Sequence, residues 1–191
     1  MATTIINLPL GKTLFQRLLN SKKSKNAEII YFDKTTTENW ESNNKIFDID
    51  ETIFYKPFEI EINYDITGKS QKQTFAFFCC RKVSANGKPS IHVFSINEKL
   101  TLDMSSVGGT KRINTGLILS DTGKINIKYN EGNIQVYFDD KLKNTYDLSD
   151  YKLTSGLPSK CGVGQSFTEN NNSLANGING TVNVKIKELK E

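Results

Sequence analysis

The sequence predicts an all-β protein, an antiparallel β-sandwich preceded by a short N-terminal helical segment. Three observations predict it. From Ala27 onward the apolar residues recur with period two, and at least eight such runs are separated by turn residues. One run, Thr74 to Cys80, is apolar throughout, as a central strand covered on both faces would be. Helical spacing occurs only once, in Lys12–Asn20, where Leu14/Leu18 and Phe15/Leu19 fall four apart.

The elements follow in order. Residues 1–26 read as a helix, with Thr13 as its cap, and a basic linker ending at Asn26; residues 27–191 read as one sandwich domain. Glu28–Phe32 is the first candidate strand. Phe58–Ile66 places Phe58, Ile60, Ile62, Tyr64 and Ile66 on one face and Glu59, Glu61, Asn63 and Asp65 on the other. Thr74–Cys80, Ser90–Phe94, Leu100–Met104 and Leu117–Leu119 come next. Lys124–Tyr129 and Asn133–Phe138 flank Asn130-Glu-Gly132, the pattern of a hairpin with a glycine-bearing turn. Gly180–Glu188 closes the chain.

Composition excludes several functions. The 191 residues are 37% apolar and 24% charged, which suits one globular domain and neither a disordered tail nor a membrane span. The net charge is only +4, and just three of 25 cations are arginine (Arg17, Arg81, Arg112). Dispersed lysines of this kind protect strand edges, whereas nucleic-acid binders gather charge in a stripe, so no nucleic-acid partner is expected. Membrane insertion is not expected either. Three cysteines and one histidine are too few for a zinc site or a disulfide scaffold; Cys79 and Cys80, adjacent on a strand, should point to opposite faces as reduced thiols. No secretory signal is legible in the first residues, so synthesis in a reducing compartment is expected.

Four stretches carry a resemblance. Phe58-Glu-Ile-Glu-Ile-Asn-Tyr-Asp-Ile66 resembles the opening strand of the concanavalin A-like and laminin-G-like jelly rolls. The hairpin Lys124–Asp140 resembles the late hairpin of that superfamily, Cys161-Gly-Val-Gly164 its glycine-bearing strand, and Asn179–Ile186 its closing strand. The resemblance covers residues 27–190. It departs from the pattern at Asp139-Asp140-Lys141, where the superfamily commonly has Asp-Gly. It implies two stacked, curved sheets and a sheet face or loop rim that binds glycans. Some members cleave glycans; others are adhesion or virion modules, and fold alone does not choose among them.

Candidate sites follow from residue chemistry. Glu59 and Glu61 share a strand face, as a glycosidase pair would, but Asn63 stands where the glucanase pattern of this superfamily has its acid. His92 with Arg81 is weighed as lyase machinery, yet Ser90 replaces the glutamine of the lyase strand; the alternative is a strand histidine bonded to a neighbour. Trp40 stands in a polar stretch, able either to stack on a sugar or to fold back over the sandwich end. Ser166–Gly177 is a long polar connection whose Glu169, Asn170, Asn171 and Asn172 offer donors and acceptors to sugar hydroxyls. Calcium bound by these oxygens is chemically admissible, but no loop has the dense acidic spacing it needs, so no cofactor is expected.

The sequence-based expectation is therefore a non-enzymatic, lectin-like module. Its ligand-binding residues would be Trp40, Asn63, Asp65, Arg81, His92, Glu169, Asn170, Asn171 and Asn172, and its partner a cell-surface or cell-wall glycan. The missing signal and the adhesion-type fold suit a phage or phage-like virion component that acts outside the cell. Residues 1–26 would then serve attachment or homo-oligomerisation, with a trimer by analogy to fibres. The alternatives are a purely structural virion module and a glycan-cleaving enzyme.

Overall fold

The computed structural model describes residues 28–37, 46–66, 75–81, 90–106, 109–130, 132–150, 156–167 and 180–189. Twelve strands lie among them: β1 (Ile30–Thr37), β2 (Ile46–Asp48), β3 (Phe58–Asp65), β4 (Phe75–Arg81), β5 (Ser90–Ile96), β6 (Lys99–Ser106), β7 (Gly109–Ile118), β8 (Thr122–Asn130), β9 (Asn133–Phe138), β10 (Lys141–Asp147), β11 (Lys160–Val163) and β12 (Thr181–Glu188). They form two six-stranded sheets, ordered β1-β12-β3-β8-β9-β10 and β2-β11-β4-β5-β6-β7, and every pairing is antiparallel. The sheets enclose one core, so the predicted sandwich is the observed fold. The N-terminal helical segment, Trp40 and residues 169–172 lie outside the described residues.

Strand alternation builds the core. Ile60, Ile62 and Tyr64 of β3 face inward with Ile125 and Ile127 of β8, Ile134 and Val136 of β9, and Val182, Val184 and Ile186 of β12. β4 departs from strict alternation. A bulge between Ala76 and Phe78 turns both Phe77 and Phe78 into the core, then returns Cys79 to the outer face and Cys80 to the inner one. The cysteines thus point apart, as expected. All three are buried thiols, and burial pushes the Cys79 thiol up to about 12. A one-turn 3₁₀ helix, Glu51–Tyr55, is started by Asp50, whose carboxylate accepts from the Thr52 amide and hydroxyl. It drives Phe54 between the sheets, 6.1 Å from Phe78 and 5.2 Å from Phe58, ring centre to ring centre.

Two hairpins turn on two residues each. Asp139 (φ 49°) and Asp140 (φ 60°) join β9 to β10, and Asn97 (φ 49°) and Glu98 (φ 66°) join β5 to β6. Both central residues are left-handed, the geometry of a type I′ turn, whose twist matches its strands. The Asp-Asp departure noted in the sequence therefore keeps the turn conformation while giving up the glycine that suits it best. Asp139 compensates by accepting the Lys124 amide at 3.0 Å.

Two strands lie beyond the sequence prediction. β10 is an exposed edge with only Tyr146 packed on the core, and β2 is three residues long. Leu117–Leu119 proves to overlap the end of β7, in whose earlier part Ile113 is the one apolar side chain. β1 starts and ends later than Glu28–Phe32.

Candidate functional site

The sandwich has two outer faces, and their polar groups are handled differently. On the first sheet, β3, β8, β12 and β1 present the polar halves of their alternation, and these are cross-linked. Glu61 receives Lys187 at 2.9 Å, Lys124 at 3.5 Å and the Asn63 amide at 3.2 Å. Glu59 accepts from Asn126 at 2.7 Å, and Asp33 meets Asn183 and Lys185. Burial alone would raise the Glu61 pKa, but the hydrogen bonds from Lys187 and Asn63 and the charges of Lys187 and Lys124 outweigh it and hold the carboxyl below its ordinary range. A glycosidase acid needs the opposite shift. The Glu59/Glu61 pair therefore holds the sheet's charge lattice together and lacks the environment of an acid–nucleophile pair.

On the second sheet, the register lines up Gly162, Cys79, His92, Asp103 and Arg112 across β11, β4, β5, β6 and β7. Ala76, Phe94, Thr101 and Asn114 form the next row, and Arg81, Ser90, Ser105 and Thr110 the row on the other side. Asp103 is 8% exposed and grips Arg112 through both oxygens, each at 2.8 Å, while the Arg112 side chain remains 54% exposed. The Asp103 hydrogen bond raises the Arg112 pKa, so the guanidinium is a permanent cation. Its carbon lies 5.6 Å from the centre of the Phe94 ring, and Phe94 stacks on His92 at 4.2 Å. Carboxylate and ring together lock one edge of the fork, which leaves the remaining N–H groups aimed outward. Beside Arg112 and Phe94, a cleft of about 290 Å³ is lined by Ile96, Asn97, Lys99, Thr101, Asn114 and Gly116. That is the low end of small-ligand pockets.

His92 differs from the expected histidine bonded to a neighbour. It is 7% exposed, and neither ring nitrogen has a hydrogen-bond partner among the described residues. Burial, then the charges of Arg81 and Arg112, push its pKa down to about 3 against the pull of Asp103, so the imidazole is neutral at ordinary pH. A turn after β11 lies over the same face: the Phe167 carbonyl accepts from Cys79 at 3.1 Å, and a Cβ added to Gly162 would stand 2.6 Å from the Gln165 carbonyl. Only glycine at 162 lets that turn approach β11.

The structure thus separates the residues singled out in the sequence. Arg81 and His92 share the outer face of the second sheet. Asn63 and Asp65 lie on the opposite outer face, where Asn63 is bonded to Glu61. Asp103, Arg112, Asn114 and Gln165 were missed. Among the described residues no group of three His, Cys, Asp or Glu could hold a metal ion.

No protein-family model matches the chain, and no curated protein sequence does. Solved structures share its fold. The CBM40 domain of the Ruminococcus gnavus IT-sialidase, a carbohydrate-binding module bound to α2,3 sialyllactose, superposes with a TM-score of 0.59 at 13% identity, over 81% of this chain and 91% of that one. The leech intramolecular trans-sialidase gives 0.58 at 14% identity, over 86% of this chain and 27% of that one. The binding domain of botulinum neurotoxin DC, in complex with rat synaptotagmin II, gives 0.56 at 16%, over 83% of this chain and 40% of that one. This chain therefore spans about a quarter of the trans-sialidase and two fifths of the toxin chain.

Proposed function

We propose that the chain is a glycan-binding module of concanavalin A-like type that acts without turnover, and that its ligand sits on the outer face of the second sheet, in the cleft beside Arg112. The observation that carries this reading is the contrast between the two faces. On the first sheet Glu61, Asp33, Lys124, Lys185 and Lys187 are paired with one another, while the second sheet holds a half-exposed guanidinium, fixed on one edge by Asp103, beside a cleft of amide, hydroxyl and apolar groups. Amides and a fixed guanidinium fork suit the dense hydroxyl and carboxylate oxygens of sugars. An acidic sugar suits the face best, because β4 to β7 carry Arg81, Lys99 and Arg112 there against one carboxylate, Asp103. The sialyllactose-bound modules of the same fold support the reading by analogy.

Arg112→Lys keeps the charge and loses the bidentate fork. It should cut binding to an array containing α2,3- and α2,6-sialyllactose and unsialylated lactose by about tenfold or more, with the fold intact by circular dichroism. Undiminished binding would remove the site from this face. Trp40 and residues 169–172 are proposed as further contacts from the sequence alone.

The wider role proposed, also from the sequence alone, is attachment of a phage-type particle to a host surface, with residues 1–26 as the oligomerising segment. Sedimentation equilibrium should give a multiple of the chain mass for residues 1–191 and a monomer for a chain starting at Ala27. Equal masses for the two would end that assignment.

A further inference from the structure

One wall of the cleft is made by an irregularity in β7. Thr101 of β6 faces Asn114 and Lys99 faces Ile118, so Leu100 alone on β6 opposes Thr115, Gly116 and Leu117 on β7. Such a bulge breaks the ladder, and bulges gather beside functional sites, where they re-aim side chains. Here the Thr115 side chain mends the break. Its hydroxyl donates to the Leu100 carbonyl at 2.7 Å and accepts from the Leu117 amide at 3.1 Å. Leu117 packs on the core, and Gly116, between Thr115 and Leu117, adopts φ 73°. Arg112, Asn114 and Gly116 stand at alternate positions of the strand, and the last two line the cleft. A Cβ added to Gly116 would meet nothing within 4 Å. The left-handed backbone therefore calls for glycine, crowding does not, and the volume that a side chain would fill is open.

We infer that this bulge determines which sugar the site accepts: the ligand fills the space beside the Gly116 α-carbon, and Thr115 is a positioning residue that holds the wall in the shape that leaves the space open. The inference rests on the glycan reading above and adds a size limit to it. Arg112 attracts any anionic group and measures charge, not width. Along β7 the side chains of Arg112 and Asn114 stand over the outer face, and at the next alternate position Gly116 presents a bare α-carbon. That gap admits a sugar or sugar substituent that a side chain there would exclude. One methylene more or less in a fitted pocket changes recognition by about 10- to 200-fold, so a single position of this kind is enough to rank closely related sugars. Loss of the Thr115 hydroxyl would leave the Leu100 carbonyl and the Leu117 amide without the partner that fixes the bulge, and the wall would no longer be held in one shape.

The test fills the gap without disturbing the backbone. Asparagine tolerates a left-handed conformation better than most side chains, so Gly116→Asn in the full chain should keep the circular-dichroism spectrum and melt within a few degrees of the parent. Its affinity for the best-bound array glycan should fall about tenfold or more. The loss should be greater for glycans with bulky terminal sugars than for those with small ones, so the rank order on the array should change, which a merely structural role would not cause. Thr115→Val keeps the shape and loses the hydroxyl, and its affinity should fall about tenfold; Thr115→Ser, which keeps the hydroxyl, should restore most of it. The Thr115 pair carries the test should Gly116→Asn fail to fold. Parent-level affinity and an unchanged rank order in folded Gly116→Asn, with binding lost in Arg112→Lys, would overturn the inference while the glycan reading stands. Equal affinities in Thr115→Val and Thr115→Ser would overturn the positioning role of Thr115. A parent protein that binds no glycan on the array would remove the glycan reading and this inference with it.

Discussion

Phe78→Ala is expected to lower the unfolding free energy by about 3–5 kcal/mol, and the melting temperature by roughly 10 °C for a domain of this size. The bulge in β4 turns Phe78 inward beside Phe77, where it is fully buried. Its ring lies 6.4 Å from Phe32 of β1 and 6.1 Å from Phe54 of the 3₁₀ helix. Phe32 continues to Phe47 of β2, and Phe54 to Phe58 and Tyr129 of the first sheet. Phe78 is thus the joint of an aromatic chain that ties the sheets and the short helix together. Truncation leaves a cavity that these rigid rings cannot collapse to fill, so the cost should sit at the upper end for a core phenylalanine. Urea unfolding should show a lower midpoint with an unchanged slope. Leu142→Ala, on the exposed edge strand, should change stability by less than about 0.5 kcal/mol. A Phe78→Ala loss no larger than that of Leu142→Ala would contradict the joint.

What the sequence revealed depended on which face of each strand meets the core. β3 was legible because its apolar half packs inward while its outward half is uniformly polar, giving five inward and four outward residues in strict alternation. The β8–β9 hairpin was legible from alternation plus Gly132, which adopts φ 89°. β4 was legible as a central strand because both its faces are covered. β7 and β10 were not. β7 is an edge strand whose outward row, Thr110, Arg112 and Asn114, belongs to the candidate site, and Ile113 is its one fully buried apolar residue before Leu119. β10 offers the core little beyond Tyr146, and its lysines guard an open edge.

The same cause hid the site. The Asp103–Arg112 pair is made by register: β6 and β7 form a hairpin, so residues nine apart in sequence face one another. With β7 unread, Arg112 looked like one more dispersed cation. The signal that could have found it was present. Thr101, Asp103 and Ser105 alternate with Leu100, Leu102 and Met104, and Gly108 and Gly109 mark the strand's end, so setting Ser106 opposite Gly109 places Arg112 opposite Asp103. His92 and Arg81 were found because a lone histidine and a scarce arginine attract attention. Asn63 and Asp65 were grouped with them because a sequence does not say which sheet a strand joins.

His92 also sets how the fold responds to acid. In the unfolded chain its imidazole takes a proton near pH 6.5; in the fold, burial and then the charges of Arg81 and Arg112 hold that step down to about 3, with Asp103 opposing them. Between those values the unfolded state binds a proton that the folded state does not, so stability falls as pH drops through that window. From pH 7 to pH 5 the loss from this residue is about 2 kcal/mol. Glu61, held below its ordinary range by Lys187, Asn63 and Lys124, stabilises the fold above the ordinary carboxylate pKa, and that contribution disappears only at lower pH. Measurement at pH 5 therefore isolates the histidine. The parent protein should lose several degrees of melting temperature between pH 7 and pH 5, and His92→Phe should lose much less. Parallel declines in the two would mean that another group binds the proton and that His92 is not held neutral by its burial and by the charges of Arg81 and Arg112.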